Sequence, residues 1–232
     1  FVFSFSIYWS GRHFLAEAAS PTEWNSTMNL NWNPELADIE RAIALNPGNF
    51  EYHYKRALYF MALNTDDYKE RGTFHHEARK SLLQALFRNP TRGILWYNLG
   101  YIYSFKRHDL TEYLNTWLPL VDQCYDAAIQ CAPKDAYLLF NIGRYWVWRS
   151  QLLSKKDKPV LRGSSQLFQE DGIEKFQGLF QRYLAVKPDA WKDAFDSVWE
   201  AYPDDRVVFG IVPPGNDELK SLVMQELARR AE

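Results

Sequence analysis

Four segments of the chain end alike: ERAIALNP at Pro47, LLQALFRNP at Pro90, DAAIQCAP at Pro133 and QRYLAVKP at Pro188. The first three prolines are spaced by 43 residues, and the fourth follows after 55. Ahead of each, apolar side chains recur at helical spacing. Proline lacks an N–H and clashes with the turn before it, so each one marks a helix that has just stopped. Three residues further on another aromatic-rich helical pattern opens, at Phe50, Gly93, Ala136 and Trp191. A helix–turn–helix unit of this kind buries its apolar faces by stacking on its neighbours. The expected class is all-α, an α-α superhelix (solenoid) of three to four helix pairs.

One position per helix is kept small. Ala42, Ala85 and Ala128 each stand five residues before their proline, with the larger Ile39, Leu82 and Tyr125 three residues earlier. Tyr183 takes that small place in the fourth copy, so its packing must differ. In the helix after each proline the eighth residue is Ala57, Gly100 and Gly143. A mid-helix glycine costs roughly 1 kcal/mol relative to alanine. Its presence in GILWYNLGYIYSF and again in LLFNIGRYW marks a spot where a neighbouring helix presses on bare backbone.

These residues carry a resemblance. LWYNLGYIY resembles the first helix of a tetratricopeptide repeat (TPR), with Trp96, Leu99, Gly100 and Tyr103 matching its large–large–small–large signature. Ala78, Leu82, Ala85 and Pro90 match the second-helix signature in the preceding copy. Leu139, Ile142, Gly143 and Trp146 repeat the first match, as Tyr125, Ala128 and Pro133 repeat the second. The copy at 50–90 departs in its first helix, where His53 and Arg56 replace apolar residues, and the copy from Trp191 is weaker still. The family's unit is roughly 34 residues, so each copy here carries an insert between its paired helices. Two inserts, NTDDYKERGT (64–73) and KRHDLTEYLN (106–115), are polar and rich in turn formers. They are expected to lengthen helices or protrude as loops. The longest, 154–172, is lysine-rich and then Gly-Ser-rich, and reads as a mobile loop or a partner contact. The whole organises as an N-terminal apolar helix (1–19), a linker (20–33), TPR-like repeats (34–202), and a C-terminal turn with a capping helix (203–232).

A net charge of −2 argues against a nucleic-acid partner, which needs a basic stripe. The opening FVFSFSIYW is uncharged and apolar, yet far short of the roughly 20 residues of a membrane span. Three readings stand open: the exit end of a membrane helix or leader, a buried first helix, or the remnant of a signal peptide. Only Arg12 and His13 follow it, without the Lys/Arg excess of a cytoplasmic flank, so the expected side is periplasmic. No later segment is long and apolar enough to span.

The motifs of chemistry are missing. There is no Walker loop, dinucleotide fingerprint, nucleophile elbow or haem-attachment site. His75, His76 and Glu77 are adjacent, whereas helical metal ligands want a spacing of three or four. Cys124 and Cys131, seven apart on one helix, lie about 10 Å from each other, beyond disulfide reach. The NST at 25–27 is a glycosylation acceptor only in an exported, glycosylated chain. No catalytic residue, cofactor or metal is expected.

What remains is surface. In the TPR family the first helices line a concave groove, and the resemblance implies which residues face it. They are Tyr54, Leu58 and Met61 in the first copy, and Tyr97, Asn98, Tyr101 and Phe105 in the second. In the third they are Phe140, Asn141, Arg144 and Trp148. Aromatics with a few amides and an arginine suit a protein interface. TPR domains that grip a terminal carboxylate place a lysine where this chain has Tyr97 and Phe140, so that activity is not expected. The function expected is a non-catalytic, membrane-anchored scaffold for a partner protein or a membrane complex. The alternative is an accessory domain of an envelope polysaccharide or glycosyl-transfer protein, its aromatics stacking on sugars. Filling of the groove by flanking elements of the chain also stays open.

Overall fold

A computed structural model describes residues 36–63, 67–105, 112–154 and 165–231, and among them there are helices and turns but no strand. The segments expected at 1–19 and 20–33, and the NST within the second, lie outside the described residues. The helices are α1 (Leu36–Leu45), α2 (Phe50–Ala62), α3 (Tyr68–Arg88) and α4 (Gly93–Ser104). A π-helical turn, Tyr113–Trp117, leads into α5 (Leu118–Cys131). There follow α6 (Ala136–Ser154), α7 (Ser165–Val186), α8 (Trp191–Trp199), α9 (Asp205–Phe209) and α10 (Asp217–Ala231). They form two compact units divided between Cys131 and Ala132. In the first unit α2 packs on α3 and α4 on α5, with α1 against α2 and α3 against α4. In the second α6 packs on α7 and meets α8. The all-α class and the helix pairs are those expected.

Short polar side chains start the helices. Two residues past their prolines, Asn49 accepts from the Glu51 N–H at 3.0 Å and Asp135 from the Leu138 N–H at 3.2 Å. Asp67, inside the first insert, accepts from the N–H groups of Lys69 and Glu70. The rest of that insert therefore winds into α3 instead of looping out. The stretch read as a loop at 154–172 is likewise helical from Ser165. Gly172 lets α7 close on α6 there, since a Cβ at Gly172 would stand 2.8 Å from that of Ser150.

The small positions are contact points. Ala57, Ala85 and Ala128 are fully buried and Ala42 nearly so. A Cβ on Gly100 would lie 2.7 and 2.9 Å from ring carbons of Tyr125, and one on Gly143 would lie 3.2 Å from the Phe180 ring. In each pair an aromatic ring of the second helix rests on the glycine backbone of the first.

The turn between units of the repeat is sealed at its proline carbonyl. Pro47 O accepts from His53 Nε2 at 3.0 Å and from Arg88 Nε, respectively 6 and 41 residues on. Pro90 O accepts from Trp96 Nε1 at 2.7 Å and, more weakly, from Cys131 Sγ at 3.6 Å, at the same two offsets of 6 and 41. Pro133 O accepts from Arg182 at 2.6 Å. His53, out of place among apolar signature residues, thus takes the position of Trp96 and performs its hydrogen bond.

At the C-terminus α10 is clamped to α8 by Arg230. Its guanidinium lies 4.8 Å over the Phe195 ring and 5.6 Å over the Trp199 ring, and bonds the Asp196 carboxylate. Arg229 and Arg230 both donate to Glu226, holding its carboxyl down at about 2.

Two predictions follow from this packing. Gly100→Ala should lower stability in urea melts, because overpacking of about 1–3 kcal/mol exceeds the ~1 kcal/mol gained in helix propensity. Gly72→Ala and Gly178→Ala, where a Cβ meets nothing within 4 Å, should raise it by up to ~1 kcal/mol. If all three substitutions move the midpoint the same way, the ring-on-backbone contact is not there. Because the Glu226 carboxyl is held below its ordinary 4.5, its stabilising contribution is whole above that pH and drains away towards pH 2. The melting-temperature gap between wild type and Glu226→Gln should close over that window.

Candidate functional site

In the first unit the candidate groove residues separate into three kinds. Asn98 is buried and donates its amide to the Tyr54 hydroxyl at 2.9 Å, tying α4 to α2. Met61 packs against the core of the unit, and Leu58 is half-buried. Tyr97 stacks on Tyr125 of α5, ring centres 5.6 Å apart, the same ring that covers Gly100. Only Tyr101 and Phe105 stay open. They meet edge to face at 4.8 Å, each 41% exposed, and Phe105 also leans on the His75 ring at 4.9 Å.

The second unit sorts in the same way. Phe140 stands where Tyr97 does one repeat earlier, and turns onto α7, 6.0 Å from Phe180 and 5.1 Å from Tyr183. Tyr183, the large residue in a small position, is accommodated by that contact. Asn141 donates to the Tyr137 carbonyl of its own helix at 2.8 Å. Each asparagine amide thus has one of its two N–H donors engaged within the protein.

Arg144, Trp148 and Gln151 of α6 line a cavity of about 260 Å³, with Ser197 of α8 and Glu200, just past the end of α8, on its other side. Gln151 closes one end by donating to the Ala201 carbonyl at 3.0 Å. Arg144 and Glu200 are exposed, and no ion pair to either is present among the described residues. The cavity therefore offers one cation, one anion and an indole face. Ser197 and Glu200 escape a sequence reading because they join this site only once α8 is laid beside α6, whereas Gln151 follows Trp148 by one turn on the same face of α6.

Neither the cysteines nor the adjacent histidines converge on chemistry. His75 meets Phe105, His76 Nδ1 lies 3.4 Å from Arg79, and Glu77 is bound by Arg56. Burial pushes the Cys124 thiol up to about 12, far from a nucleophile's range.

No family model and no curated protein matches the chain. Among solved structures it is similar to two crystal structures of MamA. One has 13% identity and a TM-score of 0.47, covering 85% of this chain and 90% of that one. The other has 12% identity and a TM-score of 0.48, covering 96% and 91%.

Truncating the inward rings should separate structure from surface. Tyr97→Ala and Phe140→Ala should each lower stability by about 1–3 kcal/mol, whereas Tyr101→Ala should stay within about 0.5 kcal/mol of wild type. Chemical denaturation checks this, and equal effects at all three positions would mean that the rings do not divide as described.

Proposed function

We propose that the chain is a non-catalytic protein-interaction scaffold of the TPR type, which receives a partner protein on its first helices. The observation that carries this reading is the pair Tyr101 and Phe105. Two large rings on one helix are held against each other yet left two-fifths open to water. Such amphipathic rings supply contact area at small entropic cost, and interfaces enrich them for that reason. The cavity with Arg144, Trp148 and Glu200 supports the reading in the second unit with charges that a partner segment can pair.

The reading extends to attachment at a membrane through the apolar N-terminal segment, with the repeats on the periplasmic side. Its support is the composition of residues 1–13 alone. No described helix is long and apolar enough to cross a bilayer.

Affinity capture from native membranes, followed by reconstitution with the captured protein, tests the proposal. Tyr101→Ser combined with Phe105→Ser should weaken the reconstituted complex at least tenfold while the melting temperature holds. A complex indifferent to this pair and to Arg144→Ala would place the partner elsewhere and defeat the reading.

A further inference from the structure

A second cavity, of about 270 Å³, lies in the first unit where α1, α2 and α3 meet. Its walls carry Glu40 from α1, His53 and Arg56 from α2, and Lys80, Ser81 and Gln84 from α3. It opens on a different side of α2 from the one bearing Tyr54 and Leu58. The fold does not impose this hollow. One repeat further on, the places of Ile43, Arg56 and Ser81 belong to Leu86, Leu99 and Cys124, which are buried in an apolar core. The same helical frame closes with hydrocarbon there and stays open and polar here.

Arg56 organises the polar version. One terminal nitrogen donates to Ser81 Oγ at 2.8 Å and the other to Glu77 at 2.9 Å. Its Nε–H faces Glu40 at 3.5 Å, longer than a good hydrogen bond, and the Glu40 side chain is half exposed. Lys80, exposed on the rim, has no ion pair among the described residues. The cavity thus holds one poorly satisfied guanidinium N–H and one ammonium, with a loosely held carboxylate beside them.

We propose that this cavity binds a carboxylate group, which takes the Arg56 Nε–H and the Lys80 ammonium and displaces Glu40 into water. Glu40 is the internal stand-in for that ligand. Charge-assisted bonds of this kind are the stronger ones, and a guanidinium already fixed by two partners loses little freedom on making a third.

Two sources share the chemistry: a free dicarboxylate, or an acidic side chain of a partner protein. The helix itself favours the second. Leu83 and Phe87, three and seven residues past Lys80 and so on its face, are 46% and 86% exposed. At the matching places α1 has Glu40 and Ala44, and α5 has Asp126 and Gln130. An apolar rim beside a carboxylate pocket suits a protein segment with an acid next to a hydrophobic residue.

Calorimetric titration of the full chain with succinate, and separately with an end-capped peptide of alternating glutamate and leucine, tests this. Lys80→Ala should weaken succinate binding at least fivefold. Glu40→Gln should tighten it at least threefold, because the competitor is gone. The His53 ring, its pKa lowered by burial, should titrate higher in NMR when the site is filled. If the source is a protein, the peptide binds more tightly than succinate and Phe87→Ser removes only that surplus; if the source is a free dicarboxylate, there is no surplus. Absence of binding by either probe overturns the proposal. So does binding indifferent to Lys80→Ala and Glu40→Gln, or a preference for phosphatidylglycerol vesicles over both probes.

Discussion

The structure depends on an aromatic ring pressed against a helix that has no side chain to offer at that point. Tyr125 stands closer to Gly100 than a Cβ there would allow, and Phe180 closer to Gly143 than most Cβ contacts come. The propensity lost by a central glycine is small beside the burial of a whole ring. The contact also sets rotation. Once Gly100 faces α5, Tyr97 is carried onto the same ring and Leu99 into the core, while Tyr101 turns to water. The open surface of α4 is thus a by-product of where its backbone is bare.

A second constraint acts where the chain turns. A proline ends each helix, and the carbonyl of each of the first three receives a side-chain donor that ties the turn to a neighbouring helix. The donors differ in chemistry: imidazole and guanidinium at Pro47, indole and thiol from the same two places at Pro90, and a guanidinium from another place, 49 residues on, at Pro133. Any side chain with a suitably placed N–H serves. The requirement lies in geometry, and residue identity drifts around it.

That distinction decides how much of this protein could be read from its sequence. Periodicity, prolines and small residues gave the helices, their pairing and the buried Ala42, Ala57, Ala85 and Ala128, because burial tolerates few substitutes there. The stretch at 154–172 reads as a loop, yet α7 begins inside it at Ser165. A polar stretch after an N-capping Asp67 is as good a helix as a loop until its neighbours are known. Tyr97 and Tyr101 show the sharper limit: both are tyrosines on one helix, and only the position of Tyr125 tells the stacked one from the open one. The cavity at Arg144 was half legible, since its α6 wall follows from repeat position and its α8 wall from tertiary packing alone.

The junction around Arg56 takes the argument one step further. Its neighbour one repeat along demonstrates that leucine, leucine and cysteine fill this frame well. A half-buried guanidinium with two carboxylates is no better a filler, since desolvating the charges offsets most of their attraction. Stability therefore does not account for the polar set, and neither does turn geometry, which His53 and Arg88 satisfy through Pro47 without Arg56. What the polar set adds is an opening with a cation on its rim and an acid, Glu40, held too loosely to count as a partner. A departure from the repeat that gains nothing in packing, and that leaves donors facing solvent, makes sense as a place for something to bind.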